Sequence, residues 1–171
     1  MEHLGQRELA IANIIRSVYI VLLIPVNSLS TATNTFVSNS IGAGHKDQVI
    51  LIIRHITWIS LGIMAVFVSV TCLIPSTILS VYTNDVTLIH ASIPSLYVIS
   101  GALLIGAVAN IVFSGVTGTG NTRSAFVMEL VTLVFYTLFI YVAGMRLHMP
   151  VAVCFMTEVV YYTGLLVASV I

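Results

Sequence analysis

The stretch ITWISLGIMAVFVSVTCLI, residues 56–74, decides the fold. It holds nineteen residues without a charge, and Pro75 closes it. A helix needs roughly 20 apolar residues to cross the hydrocarbon core of a bilayer, so this run reads as one membrane-spanning helix. Working outward, no Asp, Glu, Lys or Arg occurs in 17–44, 86–122 or 130–145, and 150–171 holds a single one, Glu158. Each stretch is long enough for one span. The pattern predicts an all-α polytopic membrane helix bundle of about five transmembrane helices. They are expected at about 10–41, 50–74, 91–116, 124–144 and 149–171, in one membrane domain over 1–171.

Composition agrees. Of 171 residues, 58% are hydrophobic and 7% charged, whereas a soluble domain carries roughly 25% charged residues. Six basic and six acidic residues cannot cover a water-facing surface of this size. The lipid bilayer is therefore the expected partner. The charges cancel and form no basic stripe, so nucleic acid is not an expected partner. Cys72 and Cys154 lie far apart in apolar runs and read as small buried residues. No Walker, HExxH or GxSxG pattern occurs and no metal-ligand spacing is visible, so neither an enzyme, a cofactor nor a metal site is expected. The opening, with Glu2, His3, Arg7 and Glu8, reads as a polar loop feeding a helix rather than a cleaved leader.

The polar residues inside the apolar runs carry the chemistry. On the first helix Asn27, Thr31, Asn34 and Ser38 recur at spacings of four, three and four, which puts them on one face. Arg16 lies three turns earlier on nearly the same face. These residues either wall a water-filled cavity or hold neighbouring helices together, and Arg16 can also snorkel to the interface. On the third helix Ala102, Gly106 and Asn110 step by four, a small-residue row that permits close packing, with Asn110 a cavity-lining candidate.

Glu129 and Glu158 are the ion-coupling candidates, since an intramembrane carboxyl is by default a functional-site hypothesis. Such a group can take up and release a proton, or hold a cation when ionised. Glu129 does not veto its helix. A central carboxylate costs about 2.5–3.5 kcal/mol on insertion scales and each Leu, Ile, Val or Phe returns about 0.3–0.6. Nine such residues follow in 130–142. Tyr136 lies two turns after Glu129 and Tyr161 one turn after Glu158, so both hydroxyls are placed to share those faces. The alternative is a structural ion pair or hydrogen bond, for instance with Arg16 or Arg123.

Four short segments together carry a family resemblance. GQRELA at 5–10 leads into a polar helix closing on IGAG at 41–44; ILSVYTND follows at 78–85 and GVTGTGNT at 115–122. Their order and spacing resemble the multidrug and toxic compound extrusion (MATE) family. That resemblance implies twelve helices in two lobes that rock to give alternating access, with H+ or Na+ entry driving export of small cationic or amphipathic compounds. The chain would match helices eight to twelve, most of the C-terminal lobe. Its partners would then be the first helix of that lobe and the N-terminal lobe. It also implies a multi-pass protein of the inner, or plasma, membrane. Residues 1–8 would lie outside and the turns at 42–55 and 117–123 in the cytoplasm. The basic residues agree, with Lys46, Arg54 and Arg123 on one side and Arg7 and Arg146 on the other. The chain departs from the family in two places. No acid occurs in 91–116, and Thr117 stands where the glycine-rich turn often holds arginine. No family ion site is therefore carried onto a residue here. A lipid-linked sugar or polysaccharide flippase and a non-transporting membrane assembly subunit remain the alternative readings.

Overall fold

The structure, a computed structural model, describes residues 6–141 and 155–170. The expected end of the fourth helix and start of the fifth, with Arg146 and Cys154, lie outside the described residues. Those described form α1 (Gln6–Gly42), a short 3-10 turn (Lys46–Gln48), α2 (Val49–Leu73), α3 (Pro75–Ser80), α4 (Val86–Gly118), α5 (Thr122–Ile140) and α6 (Met156–Val170). By length and composition α1, α2 with its leading turn, and α4 can each cross a membrane.

Local chemistry sets the boundaries. After α1 the Gly44 amide bonds Ile41 O and the His45 amide bonds Ser40 O. This paired closure needs a left-handed residue, and Gly44 supplies it at φ +85°. Pro75, expected to end the second helix, also begins a new one, because a proline at the first helical position has no amide to leave unpaired. The third predicted helix starts earlier than 91. Asp85 accepts the Thr87 amide at 2.8 Å and so caps α4 from Val86 onward. Gly120, at φ +80°, turns the chain out of α4, and Asn121 caps α5 by accepting the Ser124 amide.

The bundle is built around α4, whose Leu96, Ile99, Ala102, Leu103, Ala107 and Ile111 are wholly buried. Against it α1 turns Ile11, Ile15, Val18, Leu22 and Val26, spaced four, three, four and four, the period of one helix face. Three bonds join the two helices: Arg7 to Thr87 O, Asn34 to Thr117, and Ser38 to Gly118 O. Their sequence separations of 80, 83 and 80 stay constant along the helices, so α1 and α4 run parallel. In lipid no hydrophobic drive holds helices together, and close approach at small residues substitutes for it. A Cβ at Gly118 would lie 2.9 Å from Asn34 O and one at Gly106 2.9 Å from the Tyr162 ring. The outer faces are apolar. Trp58 of α2 is 70% exposed, and Phe126, Leu130, Val134 and Leu138 of α5 face outward. Such a surface suits hydrocarbon and not water. The chain is an all-α membrane helix bundle.

Candidate functional site

A cavity of about 530 Å³ opens beside the first half of α1. Asn13, Arg16, Tyr19 and Ile20 line it from α1, Ile99 from α4, Tyr136 from α5, and Phe155 and Glu158 from the start of α6 and the residue before it. Arg16, Tyr19 and Ile20 stand one turn apart or less on a single face of α1. The parallel packing of α1 on α4 brings that face over Ile99.

Glu158 is the centre of the cavity's chemistry. The Tyr19 hydroxyl donates to Glu158 Oε2 at 3.0 Å, and the Tyr19 and Tyr162 hydroxyls lie 2.6 Å apart. Tyr162 is buried, and its ring sits in the space that the missing side chain of Gly106 leaves open. Asn110, one turn along α4, gives one amide proton to Gly106 O at 2.9 Å and flanks the Tyr162 hydroxyl. Tyr161 stacks edge-on against Tyr136, with centroids 5.8 Å apart, and against Tyr162, at 5.4 Å. The Tyr136 hydroxyl in turn meets the buried Thr157. Four tyrosines thus surround one carboxyl. Arg16 shares the cavity with Glu158 but forms no ion pair with it, so the structural pairing weighed for Glu158 is not made with Arg16.

The sequence-derived candidates divide into three groups. Glu158, Tyr136, Tyr161, Arg16 and Asn110 come together at or beside this cavity. Glu129 lies on the exposed face of α5, outside the cavity wall, close enough for its charge to act on Tyr161. Asn27, Thr31 and Asn34 line a separate open groove of about 390 Å³, with Ser30, Thr35 and Ser114. Within it Asn34 donates to Thr117 at 2.8 Å. One turn on, Ser38 donates to Gly118 O at 3.0 Å, so Asn34 and Ser38 hold α1 to the glycine-rich turn. Thr31 bonds Asn27 O within its own helix. Asn27 and Thr31 thus border an open groove, while Asn34 and Ser38 bond α4. Tyr19 and Tyr162 escaped the sequence reading, although a signal existed. Tyr162 lies four residues after Glu158 and Tyr19 three after Arg16, the spacings of same-face neighbours.

Apolar outer faces, a core held by glycines and a carboxyl set in a cavity define a helical membrane protein with a polar site inside its bundle. A family model described as MatE matches residues 1–142, and the chain belongs to this family of transporters. The matched span takes in α1 to α5 and ends before α6, which carries Glu158, Tyr161 and Tyr162. No curated protein and no solved structure matches the chain.

Proposed function

We propose that the chain works in a cation-coupled antiporter of the inner, or plasma, membrane, which exports small cationic or amphipathic compounds by alternating access. The observation that carries this reading is the Glu158 carboxyl, set in a 530 Å³ cavity where, among the described residues, Tyr19 engages one of its two oxygens. A carboxyl so placed can carry H+ when neutral or hold Na+ when ionised, and no other cofactor is needed. Exchange of either ion against a cationic substrate at one carboxyl is the simplest way to link the two fluxes. Glu129, with Tyr161 between it and the cavity, is the second coupling candidate. The open groove over Asn27, Thr31 and Thr35 would face a partner lobe of the same transporter across a wet pathway.

The chain would supply most of one lobe of that antiporter, so the test is efflux of a permeant cationic dye such as ethidium from cells carrying the full-length transporter gene that includes this chain. Glu158→Gln keeps the side chain's size and hydrogen-bonding capacity but removes its charge. It is expected to abolish energised efflux while the protein still reaches the membrane, and Glu129→Gln to weaken it. Wild-type efflux in both variants would reduce these residues to packing. Arg16 in the same cavity favours one further reading, export of an anionic lipid-linked sugar. Loss of activity in Arg16→Gln with efflux intact in Glu158→Gln would select it.

A further inference from the structure

Hydroxyl protons can be counted along the line that ends on Glu158. A phenol has one proton to give and lone pairs to accept with. Tyr19 gives its proton to Glu158 Oε2. At 2.6 Å the bond between Tyr19 and Tyr162 allows either oxygen to be the donor. With the Tyr19 proton already committed, Tyr162 must donate. The Tyr162 oxygen is then an acceptor, and the flanking Asn110 amide keeps one proton for it after bonding Gly106 O. Both bonds point one way, from Tyr162 of α6 through Tyr19 of α1 to the carboxylate, with Asn110 of α4 beside the far end.

We propose that Tyr19 and Tyr162 are positioning residues for ion coupling, and that they form a donor chain, flanked by Asn110, whose direction follows the charge of Glu158. The inference rests on the coupling role proposed above. When Glu158 is ionised the chain runs toward it, holding Oε2 against α1 and leaving Oε1 for a cation from the cavity. When a proton loads Glu158, its new O–H donates to Tyr19, Tyr19 donates to Tyr162, and both hydroxyls rotate. No proton is lost or gained along the chain beyond the one that Glu158 binds. The reversal leaves the Asn110 amide facing a donor, so the α4–α6 contact at Gly106 feels the charge of the α6 carboxyl through the Tyr19 hydroxyl of α1. Among the described residues, Arg16 of α1, Tyr136 of α5 and Tyr161 of α6 are the other titratable side chains facing Glu158, with Glu129 beyond Tyr161, and α4 adds Ile99 to the cavity wall.

Infrared difference spectroscopy on the chain in lipid vesicles tests this. The carbonyl stretch of protonated Glu158 is identified as the band absent in Glu158→Gln. Tyr19→Phe and Tyr162→Phe keep the rings and remove one hydroxyl each. In Tyr19→Phe the band is expected to move to higher wavenumber and its titration midpoint to shift by about one pH unit, the tenfold effect of losing a hydrogen bond to a charged group; in Tyr162→Phe, which removes only the bond behind Tyr19, both are expected to move the same way by less. Tyr97→Phe, an exposed tyrosine elsewhere on α4, should change neither. An unmoved band and midpoint in both Phe variants, with Glu158→Gln inactive in dye efflux, overturns this inference alone. Full dye efflux in Glu158→Gln overturns the coupling reading and this inference with it.

Discussion

A Cβ at Gly106 would lie 2.9–3.0 Å from three atoms of the Tyr162 ring, closer than side chains pack. Gly106→Ala must therefore push that ring, and its hydroxyl, away from Tyr19. Overpacking of this kind costs about 1–3 kcal/mol, so the variant should unfold at lower temperature in detergent. Gly101→Ala, on the same helix with nothing near its Cβ, is expected to hold or gain up to about 1 kcal/mol. Equal melting of the two variants would show that Gly106 does not set the Tyr162 position. At this scale the sequence was partly legible. Glu158 announced itself as a lone acid in an apolar run. Its partner Tyr19, 139 residues away in sequence, did not, because periodicity reports only neighbours on one helix.

At the scale of the element, α4 depends on its first turn. The Thr87 hydroxyl and amide, with the Leu88 amide and Arg7 nearby, hold the Asp85 carboxyl below the ordinary carboxylate range. The folded value lies below the unfolded one. The cap is therefore fully effective above the unfolded range near about 4 and is lost as pH falls through the lower folded value. Amides of 86–90, measured by hydrogen exchange and corrected for intrinsic rates, are expected to lose protection on that acid side. Asp85→Ala should lose it at every pH. Protection independent of both would leave the cap without a role. Reading the third helix from 91 missed this turn, since apolar run length locates the membrane part of a helix and not the capped extension before it. α1 shows the same excess. Its 37 residues span about 56 Å at 1.5 Å each, against roughly 30 Å of hydrocarbon. The helix must tilt or project into water.

For the whole molecule the question is which exposed faces meet lipid and which meet water. Thr31 lines the polar groove on α1, and Phe135 lines an apolar groove between α5 and α6. With Cys72 and Cys154 replaced by alanine, Thr31→Cys in native membranes should react with a water-soluble maleimide. Phe135→Cys should stay unlabelled, because hydrocarbon keeps thiols protonated and the reagent out. Equal protection of both would place the α1 face against lipid or sealed protein and remove the wet pathway from the proposed mechanism.

Hydropathy alone determined that this chain is a helical membrane bundle, and roughly where its helices lie. Transfer of apolar side chains from water depends on composition summed over about twenty residues, and a linear sequence contains that sum. The family was legible as well, from short turn motifs whose glycines and capping residues act locally. Only the tertiary structure decided that Glu158 meets Tyr19 and Tyr162, that Glu129 stands outside the cavity, and that Asn34 and Ser38 tie helices together while Asn27 and Thr31 stay open. Those outcomes depend on how α1, α4 and α6 are rotated and registered against one another. Contacts at Gly106 and Gly118 fix that register, between residues far apart in the chain.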